Sequence, residues 1–279
     1  MCSSDLFLGC FCLPGDEAPA HAEALVRLVH VCVHGCARGI GLAIAKAFVS
    51  TGARVHVCDV DPKAIDAVST VSPSITGTRA DVANKDDVKR VFEDVRRELG
   101  GLDVLINNAG IAGPTGGIDA IDSDDWEKTI DVNLNSQYYF SREAVPMLRE
   151  ATDGGVIVFM SSVAGRLGYG FRTPYSATKW AVVGLAKSLA IELGPDNIRV
   201  NAVQPGIVKG PRMEGVIAAR AKQLGIAYEE MEKQYLAKIS LRRMVTQEEI
   251  AASVLYLSSP AGSAVSGQAL SVCGNVETL

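Results

Sequence analysis

From residue 29 onward the chain alternates short β-branched runs with amphipathic stretches of ten to fifteen residues. That alternation, rather than a block of strands followed by a block of helices, is the pattern of repeated βα units in a parallel sheet. It predicts strands over 29–33, 54–58, 76–79, 104–107, 156–160, 199–204 and 268–272, and helices over 40–50, 62–68, 85–99, 126–150, 174–193 and 247–258. Seven strands joined in this way predict an α/β fold with a doubly wound parallel sheet and helices on both of its faces. In the 126–150 segment the apolar residues Trp126, Ile130, Val132 and Leu134 are only loosely periodic, as expected of a long helix buried on more than one side. No internal repeat or low-complexity tract interrupts the pattern.

Composition narrows the chemistry. The 279-residue chain has no Pro/Ser-rich linker, so residues 29–279 are read as one domain, large enough for a substantial core. Residues 1–28 fit none of the βα units and are read as a disordered or non-native extension. The apolar run 6–13 has the look of a signal-peptide centre, but an acid and no Lys or Arg precede it, which predicts no export. Net charge is −5 with an isoelectric point near 5.5, and no Lys/Arg block exceeds two residues. The partners expected are small molecules, with no nucleic acid and no membrane. No apolar run approaches the roughly 18 residues of a membrane span. The seven cysteines (Cys2, Cys10, Cys12, Cys32, Cys36, Cys58, Cys273) are odd in number and lack paired zinc spacings, so they read as free thiols in a reducing cytoplasm, with no metal site.

The turn VHGCARGIGLAIAKAF follows a strand and opens a helix, with Gly35, Gly39 and Gly41 spaced G-x-x-x-G-x-G around Ile40. Glycines there let backbone approach a pyrophosphate, and the helix start offers unpaired N–H groups and the positive end of its dipole. A lone glycine triplet is equally a tight turn; Asp59 shifts the balance. It ends the second strand, eighteen residues after Gly41, where a carboxylate accepts hydrogen bonds from ribose hydroxyls and repels a 2′-phosphate. Asp61 strengthens that field, and NAD is expected over NADP. Arg38, inside the turn, is the contrary sign because it can pair with a 2′-phosphate.

Further along, Tyr175 and Lys179 are four residues apart in TPYSATKWAV, thirteen residues after Ser162. A phenol titrating near ~10 is a poor base at neutral pH. On one helix, however, positions i and i+4 lie on the same face about 5–6 Å apart at Cβ, so an ammonium can stand beside the phenolate and favour it. This makes Tyr175 a candidate general acid/base for hydride transfer. Ser162, just after the fifth strand, is a candidate for bonding a substrate oxygen, with Ser161 as its competitor.

Taken in order, Gly35-x-x-x-Gly39-Ile40-Gly41, Asp81-Val82, Asn107-Asn108-Ala109-Gly110, Asn133, Ser162, Tyr175-x-x-x-Lys179 and Pro205-Gly206 resemble the short-chain dehydrogenase/reductase family in its shorter single-domain form, from about Val29 to Leu279. The resemblance implies a Rossmann-type sheet and an NAD(P)-dependent oxidoreductase acting on CH–OH groups. It implies that Asp81 and Val82 border the adenine. Asn107, Asn108, Ala109 and Gly110 would support the sheet and the cofactor, and the backbone after Pro205, through Gly206 and Val208, would contact the nicotinamide. It selects Ser162 over Ser161, gives Lys179 a bond to the nicotinamide ribose, and has Asn133 hold a water that links Lys179 to solvent. It also implies a homotetramer or homodimer built on the long helices 126–150 and 174–193.

Three positions depart from that family's pattern. The residue before Gly35 is His34 where threonine is usual, which is expected to leave the cofactor turn less tightly held. Lys209 stands where a threonine bonds the carboxamide, and Cys273 precedes Gly274 where an aspartate is common. Residues 210–245 match the family's substrate lid. Arg212, Arg220, Arg242 and Arg243 there, with Arg166 and Arg172 between Ser162 and Tyr175, suggest a polar or anionic substrate such as a sugar, hydroxy acid or acyl conjugate, held with help from Arg172 or Arg212. Two alternatives use the same sequence features: a 3-oxoacyl thioester reductase with NADPH, and a non-catalytic nucleotide-binding protein.

Overall fold

The computed structural model describes residues 29–35 and 39–277; the side chains of Ser69, Arg212, Ala219 and Gln223 are outside the description too. The N-terminal extension and Arg38 therefore lie outside the described residues. Strands β1 (His30–His34), β2 (Arg54–Asp59), β3 (Ile75–Arg79), β4 (Val104–Asn107), β5 (Val156–Met160), β6 (Arg199–Pro205) and β7 (Ala269–Val272) form one sheet in the order β3-β2-β1-β4-β5-β6-β7. Every pairing is parallel. The chain winds outward in one direction from β1 and then, from β4, in the other. This reversal leaves a crevice between the carboxyl ends of β1 and β4, where His34 registers against Asn107.

The strands are apolar on both faces because both are covered. On one side α1 (Gly39–Ser50) and α9 (Gln247–Ser258) bury Ile44, Phe48, Ile250, Val254 and Leu257 against Val31, Val33, Ile106 and Val158. On the other, α3 (Lys85–Leu99), α5 (Ser136–Arg149) and α6 (Thr173–Leu193) bury Phe92, Phe140, Leu148 and Val182 against Cys32, Leu105, Ile157 and Phe159. Cys32 and Cys58 are free thiols in these strands, and burial pushes the Cys32 thiol up to about 12. Asn84 caps α3 by accepting from the backbone N–H groups of Asp86 and Asp87, and a capping box between Thr246 and Glu249 starts α9.

The observed strands match the predicted ones to within one residue at each end. The helix predicted over 126–150 is instead α4 (Ser123–Ile130), a π-turn over Asp131–Asn135 and α5. Its loose periodicity has a physical cause: the π-turn resets the helical phase and turns Asn133 inward. Between β6 and α9, a segment for which no helix was expected forms α7 (Pro211–Leu224) and α8 (Tyr228–Ala237) around Ile217, Ala221 and Met231. The short helix α2 (Pro62–Ser69) joins β2 to β3. Among the described residues, no helix is long and apolar enough to cross a membrane, and no His, Cys, Asp or Glu cluster is placed to hold a metal ion.

Candidate active site

The turn after β1 is held by side chains from two strands. Gly35 has φ +71°, and a Cβ there would stand 2.6 Å from Ala109 Cα, so both the conformation and the close approach require glycine. Gly39, at φ +63°, has nothing among the described residues within 4 Å of the equivalent position at the start of α1. Gly41 is buried in the first turn of the helix, beside the half-buried Ile40. Asn108 clasps the turn from the far side, its amide donating to the carbonyls of Gly35 at 2.8 Å and His34 at 3.3 Å.

His34 ties the end of β1 to the Asn107–Gly110 segment. The backbone N–H of Ala109 donates to Nδ1 at 3.0 Å, which leaves the ring proton on Nε2, where it donates to Asn107 Oδ1 at 2.7 Å. Asn107 passes the chain on through its amide to Ser141 Oγ at 3.1 Å, and Ser141 donates to the Gln137 carbonyl at 2.7 Å. The imidazole is fully buried, its centroid 4.3 Å from that of Phe140. Burial lowers its pKa from 6.5 to about 4, the Asn107 bond opposing and the Lys179 charge adding to the shift, so the ring is neutral at pH 7. A longer side chain thus makes the tie to the Asn107–Gly110 segment that a hydroxyl would make, and adds a second.

Asp59 closes β2 beside this turn, its Oδ1 accepting from the backbone N–H of Asp61 at 3.0 Å. A cavity of about 270 Å³ beyond it is lined by Val60, Arg79, Ala80, Asp81, Asp87 and Arg90. Asp81 is fixed at that wall: its backbone N–H donates to Asp87 Oδ2 and its Oδ1 accepts from Ala83 N, with Val82 buried behind. On the opposite side of the crevice Pro205 ends β6 and Gly206 donates its N–H to the Val272 carbonyl. A Cβ on Gly206 would lie 2.7 Å from Cys273 Cβ, so the cysteine packs directly on the Pro205–Gly206 turn. Val208 bridges to Val245, and Lys209 is exposed, with its backbone N–H on the Val245 carbonyl.

Tyr175 and Lys179 lie on one face of α6, the ammonium 5.7 Å from the phenol ring centroid. Lys179 is buried and donates from Nζ to the Met160 carbonyl at 2.8 Å, which fixes its head at the end of β5. Asn133, fully buried, pins the neighbouring loop: Oδ1 accepts from Ile111 N at 2.7 Å and Nδ2 donates to Ile111 O at 3.0 Å. Lys179 Nζ and Asn133 Oδ1 converge on Gly110, each 3.3 Å from where its Cβ would be. Ser162 is half-buried, and its Oγ accepts from Ala164 N at 3.2 Å. Ser161 is buried, and its hydroxyl donates to the Lys179 carbonyl at 2.7 Å, which commits it to packing α6 onto β5.

One member of this group escapes sequence reasoning. Thr178 receives the second amide hydrogen of Asn133 at 3.3 Å and bonds the Tyr175 carbonyl at 2.8 Å, joining the π-turn to α6. Its position three residues after Tyr175 on the same helix was the available signal. The arginines divide differently. Arg166 donates to Val276 O at 2.5 Å and lies 3.7 Å from Glu277, so it fastens the C-terminal segment; Arg243 pairs with Glu249. Of Arg166 and Arg172, only Arg172 reaches the Tyr175 ring.

The sheet order, with its reversal between β1 and β4, defines a Rossmann-type fold. A family model described as enoyl-(acyl carrier protein) reductase matches residues 35–275. The chain belongs to the short-chain dehydrogenase/reductase family, whose members bind a nicotinamide cofactor. It is 31% identical to a galactitol 2-dehydrogenase of Agrobacterium fabrum over 87% of this chain and 94% of that one. A structure of an actinorhodin polyketide ketoreductase variant with NADPH is similar at TM-score 0.84 and 31% identity, covering 89% of this chain and 97% of the other. A structure of NAD+-bound xylitol dehydrogenase is similar at TM-score 0.83 and 26% identity, covering 88% and 98%.

Proposed function

We propose that this chain interconverts a secondary alcohol and a ketone with NAD(H), with Tyr175 as the general acid/base and a polar or anionic substrate. The observation that carries this reading is the convergence of Lys179 and Asn133 beside Gly110, with the Lys179 ammonium 5.7 Å from the Tyr175 ring and the glycine turn packed on the neighbouring Ala109. Gly39 at the start of α1 and the acid at the end of β2 fit a dinucleotide. A bound nicotinamide supplies the hydride donor or acceptor.

Tyr175 delivers or removes the proton of the substrate oxygen. The fixed Lys179 ammonium stabilises negative charge as it develops on the phenol oxygen, and Ser162 donates to the substrate oxygen. Asn133 and Thr178 are positioning residues that hold the Ile111 backbone and α6 in register, and Asn133 is assigned the water linking Lys179 to solvent. Gly35, Arg38, Gly39, Ile40 and Gly41 are assigned to the pyrophosphate side, Asp81 and Val82 to the adenine, Asn108, Ala109 and Gly110 to support of the cofactor from the sheet, and Pro205, Gly206 and Val208 to the nicotinamide side. Helices α7 and α8 are read as the substrate lid. Tyr138, Trp180 and Ile191, exposed on α5 and α6, support pairing with a second copy as a homodimer or homotetramer, and the buried free thiols support a cytoplasmic protein.

Asp59, held by the Asp61 backbone, supports NAD. A second reading, a 3-oxoacyl thioester reductase using NADPH, is favoured by Arg79, which registers beside Asp59 and lines the same cavity with Arg90. Fluorescence titration with NADH and NADPH, beside a 340 nm assay over sugars, secondary alcohols, hydroxy acids and acyl thioesters, separates the two. NADH is expected to bind more tightly, Asp59→Ala to erase that preference, and Tyr175→Phe to lower kcat by about 10²–10⁴-fold. Tighter NADPH binding with thioester reduction selects the second reading. Turnover that survives Tyr175→Phe removes the assigned acid/base, and nucleotide binding without any turnover selects a non-catalytic role.

A further inference from the structure

Among the described residues, Arg172 is the cation besides Lys179 that stands over the Tyr175 ring, and its surroundings differ from those of Arg199, Arg54 and Arg166. Arg199 donates to the carbonyls of Leu257, Gly262 and Val265, and Arg54 to those of Glu98 and Leu99. Arg166 holds the Val276 carbonyl and stands near Glu277. Among the described residues, Arg172 makes a single hydrogen bond, from Nη2 to the Ala112 carbonyl at 2.7 Å. Its Nε, like that of Arg166, is enclosed with no partner, but unlike Arg166 it forms no ion pair with a carboxylate among the described residues.

The guanidinium is nevertheless held in place. Its central carbon lies 5.5 Å from the ring centroids of both Tyr169 and Tyr175. The loop it bonds is clasped to its own segment a second time, by Gly116 N–H on the Phe171 carbonyl at 3.0 Å. Tyr235 of α8 faces Tyr169 and Arg220 closely enough for their charges to act on its phenol, whose pKa burial raises. A cation with a fixed head and uncommitted donors therefore stands between the reacting phenol and a phenol-lined wall. A guanidinium carries five N–H donors in a planar fork suited to a carboxylate, and withdrawing it from water without a counter-charge is unfavourable. Such a group is satisfied by an anion brought in with the ligand.

We infer that Arg172 is the specificity-determining residue of this site and that the substrate is a hydroxy or oxo carboxylate whose carboxylate is received by Arg172. The inference rests on the reading of Tyr175 as the reacting group for where the substrate lies, and it narrows the polar or anionic class to one anion and one partner.

The test is calorimetric titration of the full chain, with and without NAD+, using benzoate and its neutral isostere benzamide. Benzoate is expected to bind at least 10-fold more tightly than benzamide in the wild-type protein. Arg172→Gln is expected to bring the two to equal affinity, and Arg172→Lys to retain part of the preference because a point charge replaces a fork. Equal binding of the two ligands by the wild-type protein, no binding of either, or a preference that survives Arg172→Gln would overturn the inference. The wild-type comparison decides the matter even where a variant fails to fold. The preference is expected to persist in Tyr175→Phe, which removes turnover if Tyr175 is the acid/base. A failure of the hydride-transfer reading thus shows in the 340 nm assay, and a failure of the carboxylate assignment shows in the titration.

Discussion

The turn after β1 and the helix pair α7–α8 both stand at the carboxyl ends of the strands, yet they are built on opposite plans. In the turn the described groups have fixed partners: His34 bonds Ala109 and Asn107, Asn108 bonds two carbonyls of the turn, and Gly35 touches Ala109 with no room for a methyl group. The helix pair closes around buried Ile217, Ala221 and Met231, with Met213, Ile226, Tyr228, Tyr235 and Met244 partly buried against them, and among the described residues no side chain caps the start of either helix. The first region is part of the sheet's own core, so distorting it disturbs the whole domain. The second carries a small core of its own, so it is expected to open while the sheet stays intact. Binding elements are drawn from the weakly held end of a structure and reaction geometry from the strongly held end; the proposed cofactor turn and the proposed lid follow that division.

Acid is expected to act hardest on this contrast, because it strikes the strongly held half. His34 and His56 are both buried, and burial lowers each from 6.5 to about 4. In His56 the ring bonds Thr76 and Thr78, and Thr78 donates onward to Asp94. Depressed folded-state values mean that the unfolded chain binds more protons between those limits. The stabilisation is complete above pH ~6.5 and is lost as pH falls toward 4. At pH 4.5 the pair costs on the order of 5 kcal/mol. Urea midpoints measured from pH 7 to 4.5 should fall steeply, and His34→Thr should flatten the curve. If the midpoint is flat over that range in the wild-type protein, the buried histidines are not the strongly held element described here.

Gly35→Ala comes next. A side chain at a positive φ and against Ala109 should destabilise the domain by about 3 kcal/mol and abolish NADH binding, read by urea denaturation and fluorescence. A Gly35→Ala variant of unchanged midpoint would mean that the close approach is freely relaxed. The smallest effect is expected from Ile217→Ala in α7, fully buried in the wild type. About 2 kcal/mol should be lost locally. Hydrogen exchange should quicken within 211–237 while the strands keep their protection. Equal loss of protection in β1 and β4 would make the two regions a single cooperative unit and end the distinction.

Much of this was legible in the chain because it depends on local rules. The β-branched runs gave all seven strands, since a strand buried on two faces is apolar throughout. Tyr175 and Lys179 were placed on one helical face by their spacing, and the structure has them so on α6. The π-turn at Asp131–Asn135 was not legible. Asn133 is stabilised there by both backbone groups of Ile111, a segment twenty-two residues earlier, and no local pattern encodes that pairing. The helices of 211–237 were missed for a related reason: their apolar residues face each other, so neither has a stripe that the sheet explains.

His34 shows where the division lies. That an imidazole follows the apolar run of β1 and precedes a glycine turn can be read from the chain alone, because side-chain identity and strand periodicity are local properties. That the imidazole is buried and neutral, carries its proton on Nε2 and fastens the turn follows only from the packed fold, because those properties depend on Ala109, Asn107 and Phe140, more than seventy residues away in the chain. The same holds for Arg172, whose charge is written in the sequence. Its place beside Tyr175, without an acid among the described residues to answer it, arises from the folding of two loops onto one another.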